Sequence, residues 1–171
     1  MSTKFDPNNA QNLIETNYRA FWPSRFAVKA VEHAQTYWNL LEAVPPSSLK
    51  LTRLDDEIHE HFSQEFPELI EDPQKIKVLD EDWMKDPAGK ERWRKFISAY
   101  EKRVGDFNFG SLIRTDSSGE YSETNSIFVT RMQFYAIEIA RNRLGFNDRI
   151  HEEAQGEKEK EKAKAKKAEQ S

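Results

Sequence analysis

Cysteine is absent from the 171 residues, which excludes disulfides, thiol nucleophiles, iron–sulfur clusters and cysteine-based zinc sites. Glycine is scarce, with six residues in all, and none of them forms the GxGxxG pattern of a doubly wound cofactor site. Gly105 and Gly110 have the spacing of a phosphate-binding loop. Ser111 and Leu112 stand where its lysine and hydroxyl residue belong, so no ammonium reaches a phosphate there. No apolar run is long enough to span a membrane, and no charged-then-apolar start resembles a signal peptide. The expected compartment is therefore the cytoplasm, with the nucleus second. A basic excess is also missing. The formal charge of −4 and pI near 5.7 argue against a dedicated nucleic-acid binder.

Histidine is rare, at four residues, and the HExxH zinc-protease spacing does not occur. The one dense group of metal-ligating types is Asp55-Asp56-Glu57-Ile58-His59-Glu60-His61. Asp55 and His59 lie one helical turn apart, but His59 and His61 point to nearly opposite sides of a helix. The expectation is a solvated helical face with an Asp–His pair, and no metal or other cofactor.

Bulky core material is plentiful: four Trp, five Tyr and eleven Phe. With 33% charged residues and a mean hydropathy of −0.88, the chain reads as one domain with a very polar surface. The pattern is mostly helical. Asp6-Pro7 has the form of a helix start, followed by Ala10, Leu13, Ile14 and Asn17. Pro23 opens a helix in which Phe26, Ala27, Ala30, Val31, Ala34, Tyr37, Trp38 and Leu41 recur at helical spacing until Pro45-Pro46. Thr52 and Asp55 form a capping-type pair ahead of Leu54, Ile58, Phe62 and Phe66. Asp86-Pro87 repeats the cap-plus-proline signal before Trp93, Phe96, Ile97, Tyr100 and Val104.

The period changes at Asp106. Phe107, Phe109, Leu112 and Arg114 alternate with smaller or polar neighbours, Asp116-Ser117-Ser118-Gly119 forms a turn cluster, and Tyr121 and Ile127 to Val129 supply return strands. A last helix follows from about Thr130 to Leu144, with Met132, Ala136, Ile139, Ala140 and Leu144 inward and Gly145 at its C-terminal cap. Residues 151–171 hold six Glu and six Lys and no large apolar side chain. They cannot offset their ordering entropy by burial. The expected fold is mainly α, a compact single-domain helical bundle over residues 1–148 with one small β-hairpin near residues 107–129. Residues 149–171 form a charged tail, disordered or a single solvated helix.

No sequence-local serine–base arrangement supports nucleophilic catalysis, so the chain is not expected to be an enzyme. His33 reads as a structural histidine near Lys29 and Tyr37. Asp106-Phe107-Asn108-Phe109-Gly110 packs aromatics between turn formers. In the last helix Glu138 can pair with Arg141 or Asn142, while Arg141 and Arg143 cannot share one carboxylate. One of these arginines is therefore available to reach outward to a partner.

Four stretches carry a family resemblance: Arg25 to Ala34 (RFAVKAVEHA), Leu49-Lys50-Leu51-Thr52 with Asp55-Asp56, Asp106 to Gly110 (DFNFG), and Gln133 to Arg143 (QFYAIEIARNR), preceded by Asn125, Ile127, Phe128 and Arg131. Together they resemble the polysaccharide biosynthesis domain-containing protein 1 family over roughly residues 18–148. The resemblance implies a dedicated, ATP-independent chaperone that binds the nascent GTP-binding domain of translation elongation factor 1-alpha at the ribosome. It also implies help from the nascent polypeptide-associated complex. The charged tail, outside the resemblance, reads as a solubilising segment, the alternative being a contact arm for an acidic or ribosomal partner. The contact candidates within the matching blocks are Phe107, Asn108, Phe109, Arg131, Arg141 and Arg143, then Lys29 and His33. Two other readings are a carbohydrate-modifying enzyme, as the family label suggests, and a passive ribosome-associated adaptor.

Overall fold

The structure is a computed structural model that describes residues 25–170, with side chains from Lys29 onward. The Asp6-Pro7 helix and the Pro23 start therefore lie outside the described residues. The first described helix, α1 (Arg25–Ala43), turns Ala30, Ala34, Tyr37 and Leu41 inward. Val31, which shares the helical spacing, is 37% exposed because it sits at the edge of the apolar stripe. Pro45 and Pro46 end α1, and Pro46–Ser48 forms one 3-10 turn.

Helix α2 (Asp55–Glu65) starts where Asp55 accepts the N–H groups of Leu51 and Thr52, both at 2.7 Å, while the Thr52 hydroxyl accepts from Leu54 at 2.9 Å. The Thr52–Asp55 pair thus orders the turn ahead of the helix, two residues earlier than a capping box would. Three short helices follow: α3 (Pro67–Glu71), α4 (Gln74–Lys77) and α5 (Glu81–Lys85). No periodic signal marks them, since each spans barely more than one turn. Helix α6 (Pro87–Ser98) begins at Asp86, whose carboxylate accepts the Ala88 N–H at 2.8 Å, with Pro87 in the first turn. Phe62 of α2, Phe66 just after it, Trp93 and Phe96 of α6 and Tyr100 of the following turn form a buried aromatic group within the core, with Ile58 beside it. Trp93 and Phe96 meet edge-on with ring centroids 5.7 Å apart, within the range of favourable ring pairs.

Strands β1 (Gly110–Arg114) and β2 (Ser126–Thr130) pair antiparallel, Gly110 with Thr130 through Arg114 with Ser126. Both strands are buried on both faces, with α1 on one side and the last core helix on the other. That cover supplies the support a two-stranded sheet needs. Tyr121 belongs to the connecting loop and not to a return strand. Its ring lies against the Arg114 guanidinium at 5.7 Å, a contact that holds the loop down without ladder pairing.

β2 runs directly into α7 (Arg131–Arg143), the central helix, in which residues 132–142 are all buried. Thr130 and Gln133 form a capping box at its start. At its end Gly145 takes φ +82°, and the N–H of Phe146 reaches the Arg141 carbonyl at 3.0 Å. That is the glycine-terminated motif in which the residue after the glycine closes the last turn. Leu144 was expected inward but is 43% exposed, because it lies past the last full turn. Helix α8 (Asp148–Glu169) then carries the charged segment. Its first two turns rest on α1, where His151 Nδ1 meets the Glu42 carbonyl at 2.9 Å, and residues 157–170 are wholly exposed. Among the described residues, no helix is long and apolar enough to cross a membrane.

Candidate functional site

Five of the candidate residues meet at the start of α7. The corner 106–109 lies over the N-terminus of this helix, where the first N–H groups lack intrahelical partners. The Phe109 carbonyl accepts the Arg131 N–H at 2.7 Å, and the Phe107 carbonyl accepts the Met132 N–H at 3.2 Å. The alternating aromatics of Asp106-Phe107-Asn108-Phe109-Gly110 therefore serve a backbone purpose: their carbonyls complete the helix end.

The side chains of the corner form a polar web around one carboxylate. Arg131 Nη1 donates to Asp106 Oδ2 at 2.9 Å, and the Tyr135 hydroxyl donates to the same oxygen at 2.7 Å. Burial and the Asp106 charge push the Tyr135 phenol well above its usual range, so it remains a donor. Arg131 also lies 5.8 Å from the centre of the Phe109 ring. Phe107 packs on the edge of the core, while Asn108 and Phe109 are half-buried. Asn108 Oδ1 and Arg131 Nε are shielded from solvent and have no hydrogen-bond partner.

His33 reaches this region from α1. Its Nδ1 lies 2.9 Å from Ser111 Oγ, and its ring meets Phe134 edge-on at 4.9 Å. Burial, reinforced by the Arg131 charge, lowers its pKa from the usual 6.5 to about 4, so it is neutral at physiological pH. A serine beside a neutral histidine has the outline of a nucleophile and base. Ser111 is fully buried, however. Lys29 stands near the same end of α1, exposed and loosely paired with Glu32 at 4.0 Å.

Arg141 and Arg143 lie at the other end of α7. Arg141 is corrected from a contact candidate to a core residue, because its side chain is 0% exposed. It donates to the carbonyls of Ile76, Arg114, Lys77 and Thr115 and faces Glu138 at 3.4 Å. Arg114 shares Glu138 from the strand side, at 3.5 Å, so two guanidinium groups and one carboxylate are buried together. Arg143 is the outward member of the pair and meets the exposed Asp56 at 2.5 Å.

Asp55 and His59 do not form a joint site. Asp55 is held by the N–H groups of Leu51 and Thr52, and burial and Arg143 lower the pKa of His59. His61 points elsewhere, with Nδ1 2.8 Å from the Tyr100 hydroxyl. Among the described residues, no cluster of metal-ligating side chains is assembled. Two members of the corner escaped the reading of the sequence. Tyr135 carried a usable signal, one helical turn after Arg131. Ser111 carried none, because only the strand pairing places it beside His33.

Comparison with known proteins places this arrangement. The family model described as PBDC1 protein matches residues 23–152. The chain belongs to the PBDC1 family. It is 49% identical over 150 residues to the Protein PBDC1 homolog of Saccharomyces cerevisiae, covering 88% of this chain and 97% of that protein. The Schizosaccharomyces pombe homolog is 51% identical over the same coverage. Human Protein PBDC1 is 41% identical over 147 residues, or 84% of this chain and 61% of the human protein. The fold resembles the solution NMR structure of a Saccharomyces cerevisiae protein, with 53% identity and a TM-score of 0.70 over 74% of this chain and 86% of that one. The matched region ends in the first turn of α8, so both the α7 corner and the buried arginine core lie within the shared PBDC1 body.

Proposed function

We propose that this PBDC1-family chain is a dedicated, ATP-independent chaperone that binds the nascent GTP-binding domain of translation elongation factor 1-alpha at the ribosome. The observation that carries the reading is the corner at the head of α7. There a half-buried Phe109 lies against Arg131, and Asn108 Oδ1 and Arg131 Nε lack partners. The family resemblance supplies the identity of the client.

The physics suits a folding GTPase. Before nucleotide and neighbouring domains settle, such a domain exposes apolar surface and an unfilled phosphate site. Binding that immature form raises its population by mass action. Release needs weaker binding of the finished, nucleotide-loaded client, because equal affinity for both states gives no direction. The exposed outer part of α8 extends away from the body and is the proposed arm toward the ribosome and the nascent polypeptide-associated complex.

The test uses the isolated GTP-binding domain of elongation factor 1-alpha, nucleotide-free and nucleotide-loaded, in calorimetric titrations. The nucleotide-free form binds more tightly. Phe109→Ala, which leaves the backbone cap in place, weakens that binding about tenfold or more. Equal affinity for both forms would support a passive adaptor. Unchanged binding by a folded Phe109→Ala chain removes the corner from the interface.

A further inference from the structure

The charges of α8 are sorted along its length. Residues 151–161 hold five Glu and two Lys, whereas residues 162–170 hold four Lys and one Glu. The helix thus has an acidic inner part and a basic tip, although its formal charge cancels overall. Lys158, Lys162 and Lys166 form one row, each about 6 Å of rise from the next, and Lys160, Lys164 and Lys167 form a second row on another side. All six are exposed, and among the described residues none of them forms an ion pair. The helix dipole favours cations in the last turn alone. It accounts for Lys166 and Lys167 but not for rows that begin at Lys158 and Lys160.

The residue types of the tip restrict its partner. From Glu157 to Gln170 the only apolar side chains are those of alanine. A helix that lies in a membrane surface needs a large apolar face, which this one lacks. A protein interface draws its energy from buried aromatic, methionine and arginine side chains, and lysine is depleted there. The phosphate backbone of a nucleic acid asks for none of these. Each phosphate neutralised by a lysine releases condensed counterions, and the ammonium binds as a point charge with no fixed direction. Residues 1–150 work the other way, since they carry the whole formal charge of −4 and repel phosphate. The contact is therefore confined to the tip. About 9 Å of helix separates Lys162 from Gly156, the last residue before the wholly exposed part.

We propose that the outer part of α8, from Lys158 to Lys167, is a sequence-neutral contact for the phosphate backbone of double-helical RNA. Setting that RNA in the ribosome rests on the function proposed above. The phosphate contact itself does not, and its test contains no client.

The experiment follows the fluorescence anisotropy of labelled RNA duplexes of two unrelated sequences as the full chain is added. The expected result is equal binding of both at low salt, weakening by roughly a hundredfold between about 50 and about 200 mM salt, as four phosphate contacts require. The joint change Lys162→Gln, Lys164→Gln, Lys166→Gln and Lys167→Gln lowers the low-salt affinity by roughly tenfold or more. Arginine at the same four positions keeps it. Both replacements support a helix about as well as lysine does, and circular dichroism checks that α8 is retained. Truncation after Glu161 has the same effect as the glutamine change. No binding at low salt, a marked preference for one sequence, or undiminished binding by the glutamine or truncated chain overturns the proposal. So does displacement of the RNA by an equal charge of polyglutamate, which would make the tip a site for acidic protein, or tighter binding of a DNA duplex.

Discussion

At the scale of single residues, the buried guanidinium groups separate folding from binding. Arg141 is surrounded by four backbone carbonyls and Glu138, with no exposed surface. Removing one partner of such a group strands the other, at a cost of about 3–5 kcal/mol. Arg141→Ala should therefore lower the midpoint of urea unfolding sharply, and any loss of partner binding should track the loss of folded protein. His33 makes a second residue-scale prediction. Its folded pKa, about 4, lies below the ordinary 6.5, so at lower pH the unfolded chain binds a proton that the folded chain refuses. Its contribution is intact above about pH 6.5 and declines as pH falls toward about 4, by roughly 1.4 kcal/mol per pH unit at most. His33→Asn should remove that part of the acid sensitivity, read as a shallower fall of unfolding free energy from pH 7 to 4. Residue types announced both groups, and the inward–outward split of Arg141 and Arg143 followed from their spacing. Which of the two points inward is set by Arg114 and Glu138, and β1 pairing alone brings Arg114 there.

At the scale of elements, terminators explain most of what periodicity leaves open. Asp86-Pro87, Pro45-Pro46 and Gly145 mark ends that the structure keeps, because each acts through local backbone chemistry. The stretch from Pro67 to Lys85 was illegible, since helices this short hold together by packing on α6 and α7 more than by their own pattern. Gly145 carries a sharp test. At φ +82° a side chain is strained, and an added Cβ would lie 3.2 Å from the Asp148 carboxylate. Gly145→Ala should cost about 1 kcal/mol or more and loosen the junction of α7 with α8. Circular dichroism and urea unfolding measure it.

At the scale of the whole molecule, the charged segment divides differently from its composition. Acid–base alternation from Glu157 to Lys162 indicates a solvated helix, and that part is exposed throughout. The turn before it meets the body, through His151 and Gln155 on the Glu42 carbonyl. Those contacts depend on where α1 ends in space, which no local pattern states. Truncation after Gly156 should leave the melting temperature within about a degree, because only exposed residues are removed. Truncation after Asp148 should lower it clearly, because Ile150 and the α1 contacts are lost. Only the first truncation can then separate a role of the arm in recruitment from a role in stability.

The central claim is action on one client during its synthesis. It is tested most directly by isolating ribosomes with the tagged protein and sequencing the messages they carry. The account predicts enrichment confined to the elongation factor 1-alpha message, beginning after its GTP-binding domain emerges and lost in Phe109→Ala. Enrichment spread over many messages, or none at all, would contradict it.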